Sequence, residues 1–291
     1  MLSKWKNLPK SLQIVLILNL LVLGLFLCGS LYISIFHGLS PVHLSEIFMD
    51  PFWTHPLGTD QLGRDYLTQY ILGGGITIGF AIITALGCSI IGTFLATISA
   101  YYGKSTDRII LRINDILTAI PLLPLMAVLM MLDLRKIGIP NEWIHFPLFN
   151  LIKISVIFSF IGWIQITRAM RGALLKIKNQ PYIFAAKALG ISNVHIILKH
   201  LLPNALQTYF VSLNLLIAQL MLFETTLSFF GIGINPPIPS WGNLLSDAAY
   251  LFAHKPLQAI LPGLSITCTV FLFHLTGQYI SHFQQKKNLW A

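Results

Sequence analysis

Ionisable side chains are scarce in this sequence: only 10% of its 291 residues are Asp, Glu, Lys or Arg, whereas 55% are hydrophobic. Soluble domains carry about 25% charged residues, so the composition excludes a water-soluble globular protein, a disordered chain and a coiled coil. A helix that crosses a bilayer needs about 20 apolar residues. The length has room for about six such spans with their connections, and the sequence predicts an all-α, polytopic membrane protein.

Cysteine and the common site motifs are also rare or missing. Cys28, Cys88 and Cys268 lie far apart within apolar runs, which favours neither a disulfide framework nor a zinc site. The sequence contains no P-loop, no complete G-x-G-x-x-G, no H-E-x-x-H and no C-x-x-C, and its nine histidines are scattered. We therefore expect no cofactor, no metal and no catalytic centre. The glycine clusters at 73–75 and 231–233 indicate loops or close packing instead.

Stretches without charge mark the spans. They predict six spans at residues 13–35, 76–100, 109–132, 147–167, 206–223 and 257–280. Basic residues before the first apolar run also occur in secretory signal peptides. The run is long and no A-x-A-like cleavage site follows it, which favours an uncleaved anchor.

The basic residues indicate how the spans are oriented. Six spans place both termini on one side, and fourteen of the nineteen lysines and arginines lie on that side, while eight of the ten acids lie on the other. The positive-inside rule then predicts cytoplasmic termini. The net charge of +9 reports topology, and we expect the lipid bilayer, but no nucleic acid, among the partners.

Two connections are too long to be simple turns. One lies outside, at 36–75, and the other lies inside, at 168–203, with six cations and no acid. In the inside connection, Pro181 favours a helix start and Gly190 favours a left-handed helix end, so we expect a short helix over 182–189. Ser192 or Asn193 can cap a second helix that leads into the fifth span.

The small side chains of Ala185 and Ala186 would let another surface approach this short helix closely. Docking to a protein partner, contact with anionic lipid and packing within the chain are all compatible with the pattern.

Ionisable residues within spans are candidates for function. Asp115 lies near the cytoplasmic end of the third span, three residues after Arg112, so an i,i+3 pair is expected. Glu224 lies at the outer end of the fifth span, where it can reach the interface or face a cavity in a gating or pathway role. The spans hold too few charges for a proton relay, which disfavours an ion-coupled carrier.

Several segments resemble a known family. The stretch A-A-K-A-L-G-I at 185–191, with L-P-N-A at 202–205, resembles the EAA motif of ABC importer permeases. Other stretches are similar to the branch that transports peptides and nickel. They are H-P-L-G-T-D-Q-L-G-R-D at 55–65, R-x-x-D-x-x-x-x-x-P at 112–121, E-x-x-L-S-F-x-G-x-G at 224–233 and P-P-x-P-S-W-G at 236–242. The resemblance covers about residues 55–277.

The resemblance implies a type I ABC importer permease fold with six spans. It implies an N-terminal segment at 1–75, a permease core at 76–284 that contains the coupling loop 168–203, and a C-terminal tail at 285–291. Implied partners are two cytoplasmic ATPase subunits, a homologous second permease and an extracytoplasmic solute-binding protein, at a bacterial inner membrane. The expected ATPase-coupling residues are Phe184, Ala185, Ala186, Lys187, Leu189 and Gly190. The translocation or gating candidates are Asp115, Pro121, Glu224, Ser228 and Trp241.

The sequence also departs from the family pattern. Phe184 stands where the EAA motif has glutamate, residues 73–77 lack the arginine of G-A-R-x-S, and residues 275–281 lack both acids of L-G-D-G-L-R-D. These changes concern coupling and the identity of the ATPase rather than the fold.

The expected function is ATP-driven import of di- or oligopeptides, with hydrolysis by partner subunits. Nickel chelates and cationic peptides are alternatives within the family. Outside it, a secondary transporter or channel would work without ATP, and a membrane enzyme would need a polar cluster that the sequence does not offer.

Overall fold

The computed structural model describes residues 9–288 except 37, 39, 40, 133, 139, 141, 143–147, 250, 251, 253 and 254. These residues form helices and loops, and no β-sheet occurs among them. The helices are α1 (Lys10–Phe36), α2 (Tyr66–Tyr102), α3 (Lys104–Ala119), α4 (Leu122–Met130), α5 (Phe149–Lys178), α6 (Pro181–Ala188), α7 (Asn193–Phe229), α8 (Trp241–Ala249) and α9 (Pro256–Asn288).

Five helices, α1, α2, α5, α7 and α9, are long and apolar enough to cross a membrane. Helices α3 and α4 meet the same criterion only together, and they are bent by 84° relative to each other. If this pair counts as one broken span, the total is six. The prediction of an all-α, polytopic membrane protein is confirmed.

The third span differs from the continuous segment predicted at 109–132. Helix α3 ends at Ala119, Ile120 has an extended backbone with ψ 127°, and α4 begins after Pro121. A proline ring disfavours the helical conformation of the residue before it. Pro121 therefore accounts for the break, which a hydropathy pattern does not reveal.

Helix α2 lies at the centre of the bundle and packs against α1, α5, α7 and α8. Small residues on α2 permit these close contacts. At Gly92, for example, an added Cβ would lie 2.8 Å from the Trp163 carbonyl oxygen and 2.8 Å from the Ile166 Cβ. The helix begins at Tyr66, so the glycines at 73–75 lie within a helix and not in a loop.

The two ends of the bundle carry different segments. We call the end that holds residues 102–104 and 178–193 the basic end, and the end that holds residues 41–65 and 230–241 the motif end. Helix α2 runs from the motif end to the basic end, and α7 runs in the opposite direction. The expected coupling loop and the expected outer segment therefore lie at opposite ends.

Two glycines of α2 allow a direct test of its packing. We expect Gly74→Ala to lower the thermal unfolding midpoint in detergent by about 5 °C, since overpacking costs about 1–3 kcal/mol. A Cβ at Gly74 would lie 2.4 Å from a ring carbon of Phe26 and 2.6 Å from one of Trp241. Gly79→Ala is the matched control, because the nearest atom to its Cβ, from Leu27, lies at 3.9 Å. Equal midpoints for the two variants would contradict this account of the packing.

Candidate functional site

Helix α6 at the basic end is the short helix that the sequence predicts. Pro181 occupies its first turn, and the Ile183 backbone N–H donates to the Gln180 carbonyl at 3.0 Å. The helix ends in a Schellman motif: the Ile191 N–H donates to the Ala186 carbonyl at 3.2 Å, and the Gly190 N–H donates to the Lys187 carbonyl at 3.0 Å. Gly190 has φ +76°, so its predicted left-handed conformation is confirmed.

The next helix begins as predicted. The Ser192 hydroxyl accepts a hydrogen bond from the His195 N–H at 3.4 Å, which caps the first turn of α7. Helix α7 then continues to Phe229 without a break at Pro203. The short helix is therefore joined through one tight turn to a membrane-spanning helix.

Helix α6 presents an apolar surface to its surroundings. Ile183 and Ala186 point into the protein and are buried, whereas Ala185 and Lys187 are exposed. Phe184 is 57% exposed and Leu189 is 82% exposed. The residue that replaces the expected glutamate thus contributes to an exposed apolar face, which we call the α6 face (Phe184, Ala185, Ala188 and Leu189).

Tyr101, near the end of α2, links this loop to the centre of the bundle. Its hydroxyl donates to the Asn193 side-chain oxygen at 2.5 Å, and the Lys187 ammonium lies 5.2 Å from its ring centroid. The Lys178 ammonium, at the end of α5, donates to the carbonyl oxygens of Ala100 and Tyr101 at 2.8 and 2.7 Å. Tyr101 of α2 therefore contacts α6 through Lys187 and α7 through Asn193.

Tyr101 is not among the coupling residues that the sequence predicts. The only local signal was an aromatic pair, Tyr101 and Tyr102, at the end of a span, and its partners lie far along the chain.

Two ion pairs connect α3 to α5 near the basic end. Arg171 binds the Asp107 carboxylate through Nε and a terminal nitrogen, each at 2.6 Å, and Ser99 also donates to this carboxylate. Arg168 donates to Asp115 at 2.9 Å. The expected pair of Asp115 with Arg112 is wrong, because the partner of Asp115 comes from α5. An i,i+3 neighbour was available, but both aspartates of α3 pair with arginines that extend from α5.

Glu224 and Ser228 form a buried pair at the motif end of α7. Glu224 is 0% exposed, so the expectation that it reaches the interface is wrong. The Ser228 hydroxyl donates to Glu224 Oε1 at 2.7 Å and accepts from the Ile234 N–H at 2.9 Å. The hydroxyls of Thr77 and Ser240 lie beside the carboxyl, while Oε2 has no hydrogen bond within the part of the chain that the structure describes.

Trp241 is fixed at the contact of α1, α2 and α8. Its backbone N–H donates to the Thr77 hydroxyl and its indole N–H donates to the Tyr70 carbonyl, both at 3.2 Å. The Phe26 ring meets its ring edge to face, with centroids 4.8 Å apart. Because Thr77 and Ser240 also lie beside Glu224, the structure brings Glu224, Ser228 and Trp241 into one cluster.

The remaining two gating candidates lie away from this cluster. Asp115 is on α3 near the basic end, with a side chain that is 73% exposed, and Pro121 is at the break before α4. The structure therefore separates the five candidates into a buried cluster at the motif end and two residues on the broken span. A gating role for either group stays a prediction.

The segment H-P-L-G-T-D-Q-L-G-R-D is held by its own side chains and by hydrogen bonds to residues 43–49. Asp60 accepts from the backbone N–H groups of Leu62 and Arg64 at 2.8 and 2.9 Å and from the Arg64 guanidinium at 2.7 Å. Asp65 caps α2 by accepting from the Thr68 N–H at 2.8 Å, and His55 lies 3.1 Å from Asp65. The motif thus forms an ordered turn that leads into the first turn of α2.

Helix α8 packs near this segment through Asp247. Burial raises the pKa of the Asp247 carboxyl above its ordinary value. The charge of Arg64 opposes that rise, and the charge of Asp60 adds to it.

Comparison with known proteins agrees with these features. Residues 89–287 match the family of binding-protein-dependent transport system inner membrane components. The chain is 31% identical over 281 residues to the oligopeptide transport system permease protein OppC of Bacillus subtilis, which covers 95% of this chain and 87% of that protein. It is 31% identical to the glutathione transport system permease protein GsiD of Pectobacterium atrosepticum, over 78% of this chain and 71% of that protein. It is 30% identical to the dipeptide transport system permease protein DppC of Alkalihalophilus pseudofirmus, over 74% of this chain and 66% of that protein.

Proposed function

The chain belongs to the family of binding-protein-dependent transport system inner membrane components, and on this premise we propose that it is the permease subunit of an ATP-driven importer of di- and oligopeptides. It is a multi-pass inner-membrane protein and a transport component. The relatives named for oligopeptides, dipeptides and glutathione all act on peptides, which supports peptide as the substrate class of this chain.

The coupling mechanism is inferred from the exposed α6 face, which lies on a short helix that is attached to α7 and α2. Phe184 and Leu189 present apolar surface, and burial of apolar surface is favourable by about 25 cal/mol per Å². We propose that a cytoplasmic ATPase subunit covers this face and that a second ATPase binds a homologous permease. Hydrophobic contact replaces the charge contact of the missing glutamate.

The attachments of α6 support a lever mechanism. The turn at Gly190 joins it to α7, and the contact of the Lys187 ammonium with the Tyr101 ring joins it to α2. When the two ATPases close on ATP, α6 moves with its ATPase, and the two spans tilt with it. The pathway between this chain and the second permease then changes from outward to inward access, and an extracytoplasmic binding protein delivers the substrate. In this arrangement the basic end and both termini face the cytoplasm.

Reconstitution tests this function. The chain would be purified with its second permease and ATPases and placed in proteoliposomes with the binding protein outside and ATP inside. We expect uptake of a labelled tripeptide that requires ATP and every partner, because the chain itself supplies no nucleotide site in its sequence. Peptide uptake by the chain alone, without ATP, would contradict the proposal and favour a secondary transporter or channel.

A further inference from the structure

A cavity of about 250 Å³ lies where α5 and α7 face the break in the third span. Ile120 and Leu122 line it on either side of Pro121, and Phe158 and Phe223 form part of its apolar wall. The rings of these two phenylalanines are 5.8 Å apart. The cavity is therefore enclosed by three parts of the bundle: α5, α7 and the bent α3–α4 pair.

Three long polar side chains line the same cavity: Gln165 and Arg168 on α5, and Gln219 on α7. Arg168 is already engaged, since it donates to Asp115 at 2.9 Å and to the Thr118 hydroxyl at 3.1 Å. Neither carboxamide forms a hydrogen bond with any residue that the structure describes. The two glutamines are thus available to a molecule in the cavity.

The position of Gln219 along α7 places its side chain deep in the membrane. At about 1.5 Å per residue, Gln219 lies about 15 Å along α7 from Phe229 at the motif end. Because the hydrocarbon core of a bilayer is about 30 Å thick, this position is near its middle. A carboxamide without a partner is costly in hydrocarbon, and polar groups at such depth face a protein interior or a water-filled path. The cavity therefore suits a polar solute better than a lipid chain.

We propose that Gln165 and Gln219 bind the peptide bonds of the transported peptide by hydrogen bonds as it passes through this cavity. The inference rests on the proposed function and assigns the residues that contact the substrate. A carboxamide both donates and accepts hydrogen bonds, as a peptide bond does, so the contact is independent of the side chains of the substrate. The apolar wall accommodates those side chains without selecting among them.

The test compares two substrates in the reconstituted complex. One is a tripeptide, and the other is the same tripeptide with N-methylated peptide bonds, which can no longer donate. We expect the double variant Gln165→Leu, Gln219→Leu to take up the unmodified tripeptide about tenfold more slowly, since two modest hydrogen bonds are lost. Its preference for the unmodified tripeptide should also fall below that of the unaltered complex. The binding protein is the same in both measurements, so its own selectivity cancels.

Gln207→Leu is the matched control, because Gln207 is an exposed glutamine of α7 outside the cavity lining. It should retain both the rate and the preference of the unaltered complex. If the double variant does not assemble with its partners, the preference of Gln165→Leu alone decides, and an unchanged preference overturns the inference. No uptake by the unaltered complex overturns the proposed function and this inference with it. Uptake by that complex, with an unchanged rate and preference in the double variant, overturns the inference alone.

Discussion

Gly190→Val is expected to lower ATP-driven peptide uptake by about tenfold or more while leaving insertion and partner binding intact. Gly190 has φ +76°, a conformation that a β-branched side chain adopts only at a cost of about 1–3 kcal/mol. The cost comes from the backbone alone, since no atom lies within 4 Å of an added Cβ. The turn is then expected to leave the left-handed conformation.

The consequence for coupling follows from the hydrogen bonds of this turn. Both Schellman bonds, from Ile191 to Ala186 and from Gly190 to Lys187, require Gly190 in its left-handed conformation. Without them α6 changes its direction relative to α7, and movement of the ATPase is no longer passed to the spanning helix. A strain of about 1.4 kcal/mol shifts such an equilibrium tenfold.

Gly190→Asn is the matched control because asparagine tolerates the left-handed conformation. It should retain most of the uptake, although its side chain is longer and more polar than that of valine. The measurements are peptide uptake and ATP hydrolysis by the reconstituted complex. Equal uptake by the valine and asparagine variants would show that the turn conformation does not govern coupling.

The coupling loop could be predicted from sequence because its signals are local. Pro181, Gly190 and Ser192 each act on residues within one or two turns, and each acts as expected. The direction of the exposed surface was not predictable in this way. Phe184 appears in the sequence only as a lost glutamate, and its exposure depends on how Ile183 and Ala186 pack against the rest of the protein.

The burial of the Glu224–Ser228 cluster could not be predicted from neighbouring residues in the sequence. The i,i+4 spacing of Glu224 and Ser228 was visible, but their burial depends on Thr77 and Trp241, which come from other parts of the chain. The spans were placed by hydropathy, which detects neither the bend at Pro121 nor the start of α2 at Tyr66. Hydropathy measures how apolar a segment is, whereas these features arise from backbone geometry and from helix-to-helix packing.

Arg171→Met is expected to destabilise the protein by about 2 kcal/mol, far more than Arg168→Met. Each arginine lies on α5 and binds an aspartate of α3, but the two environments differ. Arg171 grips Asp107 with two bonds of 2.6 Å, and their side chains are only 24% and 21% exposed. Hydrogen bonds between charged groups in such sites contribute about 1.5–3 kcal/mol, and the methionine would leave the partly buried carboxylate without its cation.

The ion pair of Arg168 with Asp115 is expected to contribute less to stability than that of Arg171 with Asp107. The Arg168 side chain is 45% exposed and that of Asp115 is 73% exposed, and one hydrogen bond of 2.9 Å joins the guanidinium to the carboxylate. Exposed ion pairs contribute about 0–1 kcal/mol. Thermal unfolding in detergent should therefore show a midpoint about 5 °C lower for Arg171→Met and about 2 °C lower or less for Arg168→Met. The exchange Asp107→Arg, Arg171→Asp should recover part of the loss, since it restores opposite charges at the contact. Equal midpoints for the two single variants would mean that the α3–α5 contact near the basic end is held by apolar packing, and that the Asp107–Arg171 pair does not determine the position of α3.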